Sequence, residues 1–442
     1  MAWITTADGR DRLVAHSVLP MPTERGETIV VHVDTLTRLQ PMTGFGAALT
    51  DASVVVLSRL APAARDTLLQ ALFSPARGIG LSALRITIGA SDFSRAHTTL
   101  DDMPAGTRDT ALTHFSIDGD RRDKLPLLRQ IRAINPQLTI VAAPGSAPAW
   151  MKGTEHLNGG TLRDDAMASY ARYLVRAMQA YDAEGVHIDL LSVQNEPQHE
   201  PTDYPGMRLS SAQRARLVGV YLGPLMARAG VHTQLLEWDH NWDDPTEPLA
   251  VLGDSAARPF IHGVAWHCYA GDVSAQGMVH DRYPEVATYF TECSGGDWAA
   301  NWGDNLLWNT RTLIIGATNN WARSVLLWNL ALDERHGPHL GGCTNCRGVV
   351  TIDSATGQVS RNEEFYALAH ASRFVRPGAM HVASTGGDGV SHVAFVNRDD
   401  ASLVLVMANA QPTPVTVRIT GARHPAVLTL PARSVASIIL SR

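Results

Sequence analysis

The chain has 442 residues, of which 45% are hydrophobic and 18% are charged, with a formal net charge of -6 and a pI of about 6.3. This composition is typical of a globular enzyme, and the length allows one large domain with a smaller module. Because the charge balance is slightly acidic and no basic stripe stands out, we expect no nucleic-acid partner.

The first residues, Met1 to Asp8, lack the apolar stretch of a signal peptide. No apolar run approaches the ~20 residues that span a bilayer, so we expect no transmembrane segment. The sequence as given therefore predicts a cytoplasmic protein, or a secreted one if a leader has been removed. It says nothing about the oligomeric state.

Residues 13–20 and 27–39 are strand-like and precede a longer region of alternating patterns. From about residue 44 to residue 334, apolar runs alternate with amphipathic helical segments. Four of those segments are Ala52–Leu72, Asp164–Ala183, Ser210–Ala229 and Asn305–Trp321. The runs are typical of parallel strands buried on both faces, and they are Gly44–Leu49, Leu84–Gly89, Thr139–Pro144, Ile188–Pro197, Gln234–Asn241, Val264–Tyr269, Thr288–Cys293 and Val325–Leu332.

Eight such units predict an α/β fold, a (β/α)₈ TIM barrel. A doubly wound open sheet is the alternative, and we disfavour it because no glycine-rich phosphate loop follows the first strand.

The C-terminal region alternates with period two between turn residues, which predicts an antiparallel β-sandwich. Its predicted strands are Val390–Val396, Leu403–Met407, Val415–Ile419, Ala426–Leu430 and Val435–Leu440. We expect the N-terminal strands to pair with them, so that both chain termini build the sandwich. The predicted organisation is N-terminal sandwich strands at 1–40, the barrel at 41–375 and the C-terminal sandwich at 376–442.

The four cysteines are Cys268, Cys293, Cys343 and Cys346. A zinc site would need a second pair of ligands near Cys343-x-x-Cys346, so we do not expect structural zinc. We expect free thiols, with a loop disulfide between Cys343 and Cys346 as the alternative.

Two carboxylates follow apolar runs, in Val193-Gln194-Asn195-Glu196-Pro197 and Tyr289-Phe290-Thr291-Glu292-Cys293. Active sites of such barrels lie at the carboxyl ends of the strands. Glu196 and Glu292 on strands four and seven therefore predict a retaining glycosidase, whose two carboxyl groups lie ~5–5.5 Å apart. The structural alternatives are a turn residue for Glu196 and a buried, ion-paired carboxylate for Glu292.

Other polar residues fall at the same strand ends. Asn195 can donate an amide to a sugar hydroxyl, and Asp92 can accept from one. Arg85 can pair with a catalytic carboxylate and lower its pKa. His267 and Tyr269 face the same side of one strand, so either can hydrogen-bond Glu292 and keep it ionised. Core packing and plain ion pairs are the alternatives.

Several tryptophans fall in loops or at strand ends, and sugars expose C–H faces that stack on aromatic rings. Trp328 is the best candidate for a sugar platform, because it ends the eighth predicted strand; Trp150 and Trp238 are further candidates. No His-Glu-x-x-His or Gly-x-Ser-x-Gly motif occurs, so we expect neither a metal, a cofactor nor a serine hydrolase.

From about Gly44 to its C-terminus, the chain resembles glycoside hydrolase family 30 of clan A, the glucosylceramidase and β-1,6-glucanase group. The motifs that carry the resemblance are Gly44-Phe45-Gly46-Ala47-Ala48-Leu49-Thr50-Asp51, Leu84-Arg85-Ile86, Ser91-Asp92-Phe93-Ser94, Pro148-Ala149-Trp150-Met151-Lys152, Asn195-Glu196-Pro197, Trp266-His267-Cys268-Tyr269, Thr291-Glu292-Cys293 and Leu327-Trp328-Asn329-Leu330-Ala331-Leu332.

The resemblance implies a barrel with an attached sandwich and a retaining mechanism without a cofactor. It implies Glu196 as acid/base and Glu292 as nucleophile. Further residues implied by the resemblance are Asp92, Asn195 and Trp328 around the glycone, and Arg85, His267 and Tyr269 around Glu292. Relatives commonly carry Trp where this chain reads Pro144-Gly145-Ser146. A missing indole would leave room beside the sugar, so a glycone other than glucose is open.

We therefore expect a retaining β-glycoside hydrolase that takes a carbohydrate or glycolipid substrate. The missing leader favours a glucosylceramidase-like exo-β-glucosidase, whereas the aromatic segment from Trp238 to Trp242 favours the alternative, an endo-β-1,6-glucanase. A transglycosylase and a catalytically dead carbohydrate-binding protein are lesser alternatives. The two roles require a raised pKa for Glu196 and a low pKa for Glu292.

Overall fold

Eight parallel strands close into a barrel, in the order in which the chain presents them. The computed structural model describes residues 1–17, 19–20, 28–422 and 425–440. Every barrel strand overlaps one of the predicted apolar runs, so the TIM-barrel prediction is confirmed. The barrel strands are Gly44–Ala48, Ala83–Ile88, Thr139–Pro144, Leu190–Ser192, Gln234–Asn241, Ile261–His267, Ala287–Glu292 and Ala322–Asn329.

Strand four is much shorter than the run Ile188–Pro197 predicts. After Ser192 the backbone leaves the ladder, and the N–H groups of Asn195 and Glu196 donate to the carbonyls of Pro144 at 3.0 Å and Asp239 at 3.1 Å. Glu196 has a φ of 46°, in the left-handed region that side chains rarely adopt. Strained backbone of this kind is common at functional sites.

Helices connect the strands around the outside of the barrel. The predicted helix Ala52–Leu72 is two helices, because Pro62 has no N–H to donate and begins a new helix. The α-helices are Asp51–Arg59, Pro62–Phe73, Asp118–Arg122, Lys124–Ile134, Met167–Ala183, Ser211–Arg216, Gly223–Ala229, Thr246–Leu252, Ala275–Arg282, Trp302–Trp308 and Glu363–Ser372. Single turns or π-helical segments occupy Ala149–Met151, Asp164–Ala166, Leu217–Leu222, Arg258–Phe260 and Asn309–Ala317. Among the described residues, no helix combines the length and the apolar character needed to cross a bilayer.

Both chain termini contribute to the β-sandwich, as predicted. Strand Ala2–Thr6 pairs with Ser434–Leu440, and Ile29–Pro41 pairs with Met380–Gly386 and Val415–Thr420. Residues 18 and 27, within the predicted N-terminal strands, lie outside the described part of the chain. The remaining strands of this sheet are Val14–His16, Leu19–Pro20, Val390–Val396, Leu403–Asn409 and Ala426–Leu430. The limits given above for the three sequence segments stay predictions.

Short strands tie the loops that follow barrel strands seven and eight. Gly295–Gly296 pairs with Cys346–Arg347, and a second small sheet joins Ala331–Asp333, Val350–Ile352 and Val359–Arg361. The His370 ring forms hydrogen bonds with Thr5 and Ser437 at 2.8 Å each, which attach the last helix to the sandwich.

The prediction of free thiols is wrong, because the four cysteines form two disulfides, Cys268–Cys293 and Cys343–Cys346. Cys268 and Cys293 follow the ends of strands six and seven, which are neighbours in the barrel. Their Cα atoms are therefore only 5.4 Å apart, within the range that a disulfide requires. The loop disulfide between Cys343 and Cys346 was our alternative.

Candidate active site

An open cavity of about 430 Å³ lies at the carboxyl ends of the barrel strands. The loops after nearly all strands contribute to its wall, which gathers polar and aromatic side chains. The lining includes Arg85, Thr87, Ser91, Asp92, Gly145, Asn195, Glu196, His199, Tyr204, His240, Asn241, Tyr269, Glu292, Trp298, Trp328, Gly342, Cys343 and Cys346.

Glu292 ends strand seven and is buried among donors. Its Oε2 accepts a short hydrogen bond from the Arg85 guanidinium, and its Oε1 accepts from the Tyr269 hydroxyl at 2.9 Å. Arg85 also donates to Asn195 Oδ1 at 2.7 Å. The predicted pairing of Arg85 and Tyr269 with Glu292 is therefore present in the structure.

Glu196 faces Glu292 across the cavity floor. Its Oε1 is 3.1 Å from His267 Nδ1, and ligand atoms of Glu196, His267 and Glu292 all lie within 4.8 Å of one another. The two carboxylates are thus close enough for one to attack a sugar carbon while the other assists the departing oxygen. Oxygen atoms this close match the ~5–5.5 Å carboxyl separation of retaining glycosidases better than the ~6.5–9.5 Å by which inverting enzymes leave room for a water molecule.

The His267 ring lies closer to Glu196 than to Glu292, which corrects our expectation that it hydrogen-bonds Glu292. Its Nδ1 lies 3.9 Å from Glu292 Oε1, against 3.1 Å from Glu196. Its Nε2 lies 3.1 Å from Asp239 Oδ1. The ring therefore bridges two carboxylates, a geometry that suits an imidazolium donating from both nitrogens.

Asp239 is the functional residue that the sequence reasoning missed. The carboxylate is fully buried and accepts from Arg85 Nη2 at 2.8 Å, from Thr291 Oγ1 at 2.6 Å and from His267 Nε2 at 3.1 Å. It lies near the end of strand five, beside the strand that carries His267. A carboxylate near the carboxyl end of a buried strand was the signal that could have found it.

The charges of this cluster set the protonation of the acid/base candidate. Burial lowers the pKa of His267, but the charges of Glu292 and Asp239 and the bonds to Asp239 and Glu196 raise it overall to about 9. Burial raises the pKa of Glu196, but the bond from His267 and its positive charge lower it overall to about 2. The expectation of a raised pKa for Glu196 is thus wrong for the free enzyme, because the proton of this pair resides on His267.

Asp92 and Trp328 lie on the same cavity wall. Burial and the negative charge of Glu292 raise the pKa of Asp92 to about 7. The Arg85 guanidinium lies 5.3 Å from the centre of the Trp328 ring. Asn195, beside Glu196, completes the group of polar side chains that the fold brings together here.

Two predicted substrate contacts are absent from the cavity. Trp150 is buried and donates its indole N–H to Asp101, and Trp238 is buried with its N–H bonded to the carbonyl of Asn241 at 2.9 Å. Neither indole lines this cavity and both are buried, so the structure does not bring them together with the other predicted substrate residues. The sequence pattern could not distinguish a buried indole from one that faces the cavity.

Gly145 lines the cavity, but its backbone leaves no room for a side chain. A Cβ there would lie 2.6 Å from the carbonyl oxygen of Ala90 and 3.3 Å from that of Pro205. Glycine is therefore required by the close approach of these neighbouring loops.

Among the described residues, Glu196, His267 and Glu292 form the group whose ligand atoms are close enough to hold a metal ion. A metal would need a lone pair on His267, whereas a pKa of about 9 leaves this ring protonated at neutral pH between two carboxylates. The arrangement suits proton transfer better than metal binding.

Comparison with known proteins agrees with this geometry. Residues 42–375 match the profile of the glycosyl hydrolase family 30 TIM-barrel domain, and residues 378–438 match the β-sandwich domain of the same family. The chain is 35% identical over 429 residues to an endo-1,6-β-D-glucanase of Neurospora crassa, covering 92% of this chain and 88% of that protein. It is 26% identical to the lysosomal acid glucosylceramidase of Mus musculus over 86% of this chain and 77% of that protein.

Among solved structures, the endo-β1,6-glucanase BT3312 superposes with a TM-score of 0.92 and 31% sequence identity. The match covers 100% of this chain and 98% of that one.

Proposed function

The chain belongs to glycoside hydrolase family 30, and from that premise we propose that it is a retaining endo-acting hydrolase of β-1,6-linked glucan. The observation that carries the linkage is the 35% identity to an endo-1,6-β-D-glucanase over 92% of this chain. The relatives thus favour our alternative over the glucosylceramidase-like exo action that we expected first. The substrate is a carbohydrate chain.

In the first step, Glu292 attacks the anomeric carbon and forms a covalent glycosyl ester. Hydrogen bonds from Arg85 and Tyr269 orient this carboxylate toward the sugar. The bond to the departing sugar oxygen breaks while Glu196 delivers a proton to that oxygen.

Glu196 must be protonated at that moment although its pKa in the free enzyme is about 2. The required proton lies one hydrogen bond away, on His267 Nδ1 at 3.1 Å. A shift of this proton to Glu196 Oε1 turns a buried ion pair into a neutral pair. Bound substrate displaces water from the site. The neutral pair of Glu196 and His267 therefore becomes more stable relative to the ion pair when substrate binds. In the second step, Glu196 accepts a proton from water, which attacks the ester and releases Glu292.

The glycone is held by Asp92, Asn195 and Trp328. Asp92 presents oxygen atoms that accept from sugar hydroxyls, the Asn195 amide N–H can donate to one because its oxygen already accepts from Arg85, and Trp328 offers a ring at the cavity wall. Asn195 is fixed by Arg85, which also fixes Glu292, so one guanidinium sets the distance between the glycone contact and the nucleophile.

A time course of products from β-1,6-glucan tests the proposal. We expect a mixture of oligosaccharides at the earliest times, before free glucose accumulates, and no products from the Glu292→Gln variant. Release of glucose alone from the first time point would replace the endo proposal with exo action. In parallel, glucosylceramide is the comparison substrate, and faster cleavage of it than of glucan would favour the glucosylceramidase alternative.

We also propose that the enzyme works in an oxidising compartment. The described residues contain two disulfides and no free cysteine. Disulfides persist mainly outside the reducing cytosol, so this proposal replaces the cytoplasmic location expected from the sequence.

A further inference from the structure

A loop after barrel strand eight packs directly on the glycone residue Asp92. We call residues 337–347 the rim loop. Within it, Leu340 donates its backbone N–H to the Asp92 carbonyl at 2.7 Å. The Asp92 carboxylate accepts from the Phe93 N–H at 3.0 Å and lies beside the backbone of Cys343. The rim loop therefore contacts both the backbone and the side chain of Asp92.

Two glycines allow this close approach. Gly341 and Gly342 have φ values of 81° and 65°, which suit glycine alone. A Cβ on Gly342 would lie 2.5 Å from the Cβ of Asp92, and one on Gly341 would lie 2.2 Å from the carbonyl oxygen of Asp203. Gly342 also donates its N–H to Asp203 Oδ2 at 2.9 Å. The loop is thus held between the segments that follow strands two and four.

The Cys343–Cys346 disulfide connects the rim loop to the loop that follows barrel strand seven. Cys346 is buried and pairs with Gly296 in the loop that follows the nucleophile strand. In the same place, Asp297 donates its N–H to the carbonyl of Asn345 at 3.0 Å. The disulfide therefore joins the segment that packs against the Asp92 side chain to the loop that continues from Glu292.

We infer that the Cys343–Cys346 disulfide is a positioning element that holds the Asp92 carboxylate in place to bind the glycone. The inference rests on the proposed role of Asp92 in the active site. Reduction by a dithiol takes up two electrons and two protons, breaks the S–S bond and leaves two thiols, while the dithiol becomes a cyclic disulfide. Glycone binding is then weakened until the bond forms again.

The test is a double-mutant cycle on a small substrate, 4-nitrophenyl β-glucoside. We expect Cys343→Ser with Cys346→Ser to raise KM about tenfold with little change in kcat, because a loosened rim loop no longer holds the Asp92 carboxylate where it bonds the glycone. Competitive inhibition by glucose should weaken by the same factor. In an Asp92→Asn background, the same pair of serines should change KM less than twofold.

Two results would overturn the inference: an unchanged KM in the serine variant, or an equal tenfold loss in the Asp92→Asn background, which would mean a general structural effect. Should the serine variant fold poorly by its melting temperature, dithiothreitol titration of the native enzyme provides the second measurement. KM, measured on enzyme that is not alkylated, should rise as Cys343 and Cys346 are reduced and fall when the disulfide re-forms; the reduced fraction is counted by alkylating quenched aliquots and mapping their peptides. If KM instead stays constant while both cysteines are reduced, the inference fails.

These outcomes are separate from the proposed function. Hydrolysis of the nitrophenyl glucoside without any cleavage of β-1,6-glucan would reject the linkage and still allow the cycle to be measured. Inertness of the wild-type enzyme toward both substrates would reject the proposed function itself, and the weakened affinity for glucose could then be measured by direct binding.

Discussion

Replacing Asp239 with asparagine removes the negative charge at the centre of the active-site cluster. This carboxylate accepts three hydrogen bonds, two of them from the side chains of Arg85 and His267. Asn keeps one oxygen for His267 and Thr291, but its amide group then faces the Arg85 guanidinium, so two donors meet. Breaking a buried charge pair by removing one partner costs about 3–5 kcal/mol. We expect the lower end, about 3 kcal/mol, because Arg85 keeps its contact with Glu292.

Urea unfolding at pH 7 measures this loss as the difference in the free energy of unfolding. Asp164→Asn is the matched control, because its side chain is 72% exposed and 3.7 Å from Arg216; it should change stability by less than about 0.5 kcal/mol. Asp239→Asn should also lower the pKa of His267, whose high value depends partly on the charge of Asp239. A destabilisation as small as that of the control, or an unchanged His267 titration by NMR, would refute the reasoning.

Other predictions concern catalysis, pH and the rim of the cavity. Glu196→Ala should lower turnover of glucan by about 10²–10⁴-fold. On 4-nitrophenyl β-glucoside, whose leaving group needs no acid, added azide should restore turnover of this variant and yield a β-glucosyl azide; an α-azide or no rescue would contradict the acid/base role. His267 holds its proton in the folded enzyme up to a pKa of about 9, above its ordinary 6.5, so its contribution to stability is complete below pH 6.5 and is lost as the pH rises to about 9. Urea unfolding across that range should show this decline for the wild type and a flatter profile for His267→Gln. Trp298 is 57% exposed at the cavity wall, so Trp298→Ala should raise KM for β-1,6-oligosaccharides about three- to tenfold, as loss of one aromatic stack does, and leave KM for 4-nitrophenyl β-glucoside unchanged. Trp308→Ala, which removes an indole 43% exposed outside the cavity, is its control, and equal KM values for the two variants would speak against a sugar platform at Trp298.

The sequence was sufficient to predict the barrel because buried parallel strands read as continuous apolar runs between amphipathic helices. Strands Thr139–Pro144 and Gln234–Asn241 have the bounds that the pattern predicts. The same pattern failed before Glu196, where Val193 and Gln194 stay buried beyond the last strand residue although the backbone turns away. A hydrophobic pattern indicates burial only, so the sequence of a buried irregular segment resembles that of a buried strand.

The residues at the site could be listed from the sequence, but their partners could not. His267 was placed correctly at a strand end, yet its contact with Glu196 depends on the bend after strand four. To predict the disulfide between Cys268 and Cys293, one must know that the ends of strands six and seven lie side by side in the barrel. Asp239 was overlooked because no single motif marks it, and its importance comes from three donors on three other strands.

The stereochemistry of the first product tests most directly whether Glu196 and Glu292 act as a retaining pair. Proton NMR of β-1,6-glucan hydrolysis, recorded before mutarotation, reports the configuration of the newly formed reducing end. Carboxylates as close as those of Glu196 and Glu292 predict that the β-anomer appears first. Initial appearance of the α-anomer would mean direct attack by water and would contradict Glu292 as the nucleophile.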